Sequence, residues 1–352
     1  MKKPLVSALG LFCALTARAQ SCDCVADLRF ARQAYEQSYA GFADVLARRG
    51  PGNYRQFTDS LQLVSQPVGD AAGCEKLLRC YTRYFGDGHV FLSRTDAYRR
   101  QAGLPSRLVP NRKPVLEVLD AQAVLLTIPS ADGSQQLPLD SLLITNKYLL
   151  AHTPDLVVDV RGNNGGSARV FLALLELLYT QPVVLDGREF RGSPRNLAVL
   201  RDKLTEAGVP AEVRKTLRSI IARMEASPTG FVLAQPGRIT TLGRHRVQIN
   251  PQRVSILIDR GCASATEEFL LAAKQSKKVT LFGHPTAGVF DYADLCMESL
   301  PSGLFTVSMP MSRSLRLPDR PFDANGMKPD VTVPSWQFDW VYFVRGYWRK
   351  KG

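Results

Sequence analysis

The chain reads as an α/β protein, and three observations predict that class. Short apolar runs recur from residue 115 onward: VLEVLD (115–120), AVLLTIP (123–129), LVVDV (156–160), VSILID (254–259), VTLFG (279–283) and FTVSMP (305–310). Several lack apolar–polar alternation, as expected of strands buried on both faces. Helical patterns separate some of them, VFLALLELLYT (170–180) and EEFLLAAKQS (267–276), and strand–helix alternation marks a helix-covered sheet. At 352 residues and 45% hydrophobic content, the chain can build one such unit with additions and a sizeable core.

The first 19 residues follow another pattern. Lys2 and Lys3 precede LVSALGLFCAL, and ARAQ then supplies small residues at a cleavage spacing. This is the pattern of a secretory signal peptide, so the protein is expected to be exported, periplasmic or extracellular. No later run approaches the roughly 18 apolar residues of a membrane helix. Cys22 follows AQS, a poor fit to a lipoprotein cleavage box. Six cysteines remain once Cys13 leaves with the signal: Cys22, Cys24, Cys74, Cys80, Cys262 and Cys296. An even number in an oxidising compartment predicts disulfides, with pairing expected inside the first four and between the last two. Neither Cys22/Cys24 nor Cys74/Cys80 has the C-x-x-C spacing of a zinc site, and no metal is expected.

Residues 24–48 and 76–85 place apolar and aromatic side chains at three- and four-residue spacing, which predicts a small helical N-terminal subdomain over 20–100. The α/β core then spans 101–335. Residues 186–240 interrupt it with a charged, centrally helical stretch (AEVRKTLRSIIARMEAS), expected as an insertion packed over the core. The tail 336–352 is aromatic and then basic (WQFDWVYFVRGYW, RKK), expected to dock on the core. The formal charge is +13, and +10 without Lys2, Lys3 and Arg18. The basic residues are spread out and no nucleic-acid-binding motif accompanies them, so a solvated basic surface is expected rather than a nucleic-acid partner.

Two loops can carry chemistry, each following a buried strand. LVVDV runs into RGNNGGSARV, a glycine-rich turn whose backbone N–H groups could face a phosphate or an oxyanion. It lacks the phosphate-loop and dinucleotide-binding spacings. VSILID runs into GCASATEEF, with Ser264 at the head of a helix, where free N–H groups favour developing negative charge. Ser264 and Glu267 also match a capping box. On this stretch alone both the cap and the nucleophile stand.

The ordered series LVVDVRGNNGG, GCASATEEFLLAAKQSKKVTLFGHPTAGV and NGMKPDVTVP resembles the tail-specific and tricorn serine peptidase family over roughly residues 80–335. The resemblance implies a crotonase-like (ClpP-like) core with Ser264 as nucleophile. It also implies an oxyanion hole from Ala265 N–H and a backbone N–H of the Gly165–Gly166 turn. The tail-specific branch takes its base from a Lys after the G-x-x-T-x-G loop, and here that position is Val289. The tricorn-like branch uses a His from the N-terminal side, and His89 in GDGHV matches it. An imidazole of ordinary pKa near 6.5 suits proton transfer near neutrality. Asp323 stands where that branch has an assisting Glu, and Gly88 where it commonly has Ser. Asp87 is read as shaping the turn, His284 as a loop residue near the site, His152 and His245 as surface residues, and Lys274 as solvated. No peptide-capturing PDZ module fits between His89 and LVVDV.

The expectation is an exported serine peptidase acting on peptide or protein substrates without an organic cofactor. The rival reading is a binding protein that keeps the fold without effective catalysis. A third is an envelope scaffold using its aromatic tail.

Overall fold

The computed structural model describes residues 22–105, 113–242 and 246–351. The expected signal peptide and His245 lie outside them. The N-terminal layer comprises α1 (Cys24–Ser38), α2 (Phe42–Arg49), α3 (Pro51–Ser65) and α4 (Ala71–Arg83). Asp23 and Asp70 cap α1 and α4, their carboxylates accepting Ala26 N–H and Gly73 N–H. The helix expected over 24–48 is broken at 39–41. Tyr39 is fully buried with its hydroxyl on Asp87, and Ala40 N–H donates to Pro310 O at 3.0 Å. Tertiary contacts there override local helical periodicity. A short β1 (Leu92–Arg94) and α5 (Asp96–Gln101) follow.

The chain then builds β2 (Val115–Asp120), β3 (Ala123–Thr127), α6 (Gln136–Thr145), α7 (Lys147–His152), β4 (Asp155–Asp159) and α8 (Leu172–Leu178). Residues 183–242 form β5 (Val183–Asp186), β6 (Arg188–Gly192), α9 (Pro194–Thr205), α10 (Ala211–Ala226), β7 (Gly230–Leu233) and β8 (Ile239–Leu242). After them come β9 (Arg253–Ile258), α11 (Ala265–Ala273), β10 (Val279–Gly283), β11 (Tyr292–Ser299), β12 (Phe305–Ser314), β13 (Val331–Thr332) and α12 (Trp340–Lys351). Six strands form one sheet in the order β13-β10-β9-β4-β3-β2, parallel except at the β2 edge. One face is buried under α6, α8 and α11, the other under α12. The apolar runs of β3, β4, β9 and β10 follow from burial on both faces, while edge strand β2 is largely exposed.

A second, antiparallel sheet takes the order β1-β12-β6-β7, with β11 on β12. The run at 305–310, expected in the α/β core, belongs to this sheet. Side chains from α1, α4, α9 and α10 share one core with β6, β7 and β12. The 186–240 segment, expected as a helical insertion over the core, thus carries strands at both ends and packs with the N-terminal helices instead.

The six cysteines among the described residues are free thiols. Cys262 lies in the core of the parallel sheet and Cys296 in the core of the second, so the expected pairing of these two is excluded. On α4, Cys74 is buried while Cys80 is exposed.

Candidate active site

The carboxyl ends of β4, β9 and β10 carry the three turns singled out from sequence, as expected for a site at that edge of a parallel sheet. After β9, Asp259 Oδ1 accepts Gly261 N–H and, from the neighbouring turn, Gly162 N–H, both at 2.9 Å. Ser264 follows in the N-cap position of α11 with φ 57° and ψ −121°. A serine in this backbone conformation is strained, and such strain persists only where surroundings over-determine it. The surroundings are explicit: Ser264 N–H reaches Val289 O at 3.1 Å and Glu267 Oε2 at 3.0 Å, and Ala263 N–H reaches Asn163 O at 3.2 Å.

Gly165 and Gly166 pack against the Ser264 turn and the 131–132 turn, with φ of 94° and 141°. A Cβ on Gly165 would stand 2.6 Å from Ala263 O and 2.8 Å from Ser264 Cβ; one on Gly166 would stand 2.2 Å from Ala131 O. Only glycine fits either place. Gly165 N–H is already spent on Asn163 Oδ1 at 3.1 Å. The N–H groups of Gly166 and Ala265 have no acceptor among the described residues. The candidate oxyanion donors therefore narrow to these two.

His89 is buried in the loop after α4, where Asp87 shapes the turn as read from sequence. Asp87 Oδ1 accepts His89 N–H at 2.8 Å and Oδ2 accepts the Tyr39 hydroxyl at 2.7 Å. The ring Nδ1 lies 2.6 Å from Tyr292 O. A carbonyl only accepts, so Nδ1 carries the proton and Nε2 keeps its lone pair. Burial pushes the His89 pKa below its ordinary 6.5, while the Tyr292 carbonyl pulls the other way. The neutral base is the ground state at neutral pH. Val289 touches both the Ser264 turn and the loop before His89: its carbonyl takes the Ser264 N–H, and a Cβ on Gly88 would lie 2.6 Å from Val289 Cγ2, but among the described residues no hydrogen bond joins His89 to Ser264.

Asp323 does not hydrogen-bond the His89 ring. Its Oδ1 accepts Phe290 N–H at 2.6 Å and Asp291 N–H at 2.7 Å, while Asp291 Oδ2 accepts Phe322 N–H and Asp323 N–H in return. Asp291 is anchored by Arg316 at 2.8 Å. Asp323 thus holds the backbone leading into Tyr292, whose carbonyl fixes His89. Burial pushes its pKa up to about 7, and that of Asp87 up to about 6.

Two further positions have partners that the sequence did not show. His284 turns its ring edge-on to Trp340, centroids 5.2 Å apart, in a cleft with Arg161 and Arg260. Lys274 is exposed, as expected, and ion-paired with Asp330. His152 is exposed, as expected.

Sequence reasoning missed two hubs. Fully buried Asn163 donates to Ile128 O and accepts from Gly165 N–H and the Thr266 hydroxyl. Glu267, read only as half of a capping box, also accepts the Thr286 hydroxyl, Gly288 N–H and Val289 N–H. The polar identity of both at buried positions was the available signal.

A strained serine at a helix head beside free backbone donors, in a chain that also holds a buried histidine with its Nε2 unprotonated, fits a serine-hydrolase type of site. Residues 125–333 match the model of Peptidase family S41. The chain belongs to peptidase family S41 and is a serine-type peptidase. No curated protein sequence matches it. Among solved structures it is similar to mature CPAF at 13% identity and TM-score 0.64, covering 89% of this chain and 92% of that one. It is also similar to a lipoprotein from Streptococcus agalactiae at 13% identity and TM-score 0.55, covering 94% and 97%. At these identities the likeness is one of fold. No described helix is long and apolar enough to cross a membrane.

Proposed function

We propose that this chain is an exported serine peptidase of the tricorn-like, lysine-independent kind, built on a crotonase-like core. The observation that carries the reading is Ser264, held at φ 57° against the Gly165–Gly166 turn at the head of α11. Ser264 Oγ attacks the peptide carbonyl carbon while His89 Nε2 takes its proton. The carbonyl oxygen, now negative, faces the N–H groups of Ala265 and Gly166. The imidazolium, stabilised by Tyr292 O, gives its proton to the departing amine as the C–N bond breaks. Water then attacks the acyl-serine with His89 again as base, releasing the acid and restoring Ser264. Asp323 acts as a positioning residue through Phe290 and Asp291.

The test is fluorophosphonate labelling of the mature chain with Ser264→Ala and His89→Ala. Wild type is expected to label and both variants are not. Labelling that survives Ser264→Ala would overturn the assignment, and a folded wild type that never labels would favour the binding-protein reading. The scaffold reading draws on one observation: Trp336, Phe338 and Tyr342 are exposed although α12 is docked.

A further inference from the structure

Away from the catalytic turns, three of the six cysteines gather where α1 and α4 begin. Cys24 is the first residue of α1 and Cys74 lies in the first turn of α4, while Cys22 precedes α1 with its N–H on Gly69 O at 3.1 Å. All three are buried, around a fully buried Asp27. Cys22 Sγ lies 3.7 Å and Cys74 Sγ 3.9 Å from Asp27 Oδ2, and these three ligand atoms fall within 4.8 Å of one another. Cys24, also buried, neighbours Cys74 but falls outside that group of three. A tetrahedral zinc with Zn–S about 2.3 Å and Zn–O about 2.0 Å separates its ligands by about 3.5 Å (S to O) and about 3.8 Å (S to S). The spacing of Cys22, Cys74 and Asp27 is already close to this, and Cys24 is the neighbouring thiol that would close the fourth position.

We infer that Cys22, Cys24, Cys74 and Asp27 form a structural zinc site. The ligands are the Cys22/Cys24 pair with Cys74, a combination that the spacings along the sequence did not reveal. Ser302 supplies the outer support: its N–H donates to Asp27 Oδ1 at 2.8 Å and its hydroxyl to Oδ2 at 2.7 Å. On binding, the three thiols release their protons to solvent and the carboxylate enters as it stands. Two helix N-termini face the thiolates with their positive ends. A disulfide would use two of the three sulfurs and leave the third as a buried thiol. Zinc uses all four groups. Ser302 lies between β11 and β12, and β11 begins at Tyr292, whose carbonyl holds His89. The site therefore clamps the N-terminal helices to the strand that orients the histidine.

The test is metal analysis, thiol titration and intact mass on the exported mature chain purified without chelator. One zinc per chain, with all six thiols titratable after denaturation in chelator, is expected. Cys24→Ser and Cys74→Ser are expected to lose the metal, and Ser302→Ala, which spares every ligand, to retain it about 10- to 100-fold less tightly. Wild type reloaded with Co²⁺ should show thiolate-to-metal charge-transfer absorption, a readout independent of how the variants fold. A metal-free chain lighter by two hydrogens would overturn the proposal in favour of a disulfide. A metal-free chain with six free thiols and no Co²⁺ spectrum would overturn it outright.

Discussion

Gly88 and Val289, two departures from the family pattern, are in contact with each other. A side chain before His89 would enter the space that Val289 fills, its Cβ 2.6 Å from Cγ2. Gly88→Ser is expected to cost about 1–3 kcal/mol of stability from overpacking, and Val289→Ala should restore part of it. Denaturant titration of the two single variants and the double variant measures that coupling; strict additivity would refute it. The ionisable residues set opposing pH slopes. Because burial depresses the His89 pKa, its base form persists below pH 6.5, and activity should fall only as pH drops through that lowered value. Asp323, raised to about 7 from 3.8, holds its proton in the folded state where the unfolded chain has released it. Its contribution is present below the unfolded value and is lost as pH rises toward 7. Asp323→Asn keeps an Oδ1 acceptor for both amides and should flatten that decline, read as unfolding free energy at pH 5 and pH 8. An unchanged slope would place the linkage elsewhere. Asp323→Ala should lower kcat with little change in KM, since it acts through Tyr292.

At the scale of elements, α11 and its flanking turns form one hydrogen-bonded assembly with Glu267 and Asn163 as its two hubs. Glu267 takes four donors from the helix head and the 286–289 loop. Glu267→Gln presents an N–H₂ to donors and should destabilise by about 2–4 kcal/mol, several unmet hydrogen bonds at a buried site. Fluorophosphonate labelling should fall with it even under conditions where the variant stays folded, because Val289 and Ser264 lose their common anchor. Full labelling of folded Glu267→Gln would show that the loop holds itself. The glycine turn is equally constrained: Gly166→Ala meets Ala131 O at 2.2 Å in a backbone conformation alanine disfavours, so loss of the turn is expected. Sequence made this assembly partly legible. RGNNGG and GCASATEE announced their turns through glycine, serine and capping chemistry. The partner of His89 is a main-chain carbonyl, which leaves no mark in residue type, and the contact of Gly88 with Val289 joins positions far apart in the chain.

Across the whole molecule, the parallel sheet was legible because burial on both faces writes an unbroken apolar string. The second sheet was not. β6 reads REFRG and β7 reads GFVL, and each becomes a strand through pairing that begins at Ser312–Ser314 of β12. Such long-range pairing overrides weak local preference. The C-terminal tail shows the same division within one element. Val344 is buried, Trp348 Nε1 donates to Ser255 Oγ at 2.8 Å, and Arg345 pairs with Asp120, so α12 roofs Val157, Leu257 and Phe282. Phe338 is almost wholly exposed. Burying a charge without a partner beneath that roof is strongly unfavourable. Val344→Asp should therefore lower the thermal midpoint sharply or abolish soluble expression, whereas Phe338→Ala should leave the midpoint within a degree or two of wild type. Ser264 lies at the carboxyl end of β9, whose Leu257 sits under α12, so the damage from Val344→Asp should reach the catalytic turn and reduce labelling in step with folding. A folded Val344→Asp chain with an unchanged midpoint would mean that the sheet's outer face needs no cover from α12.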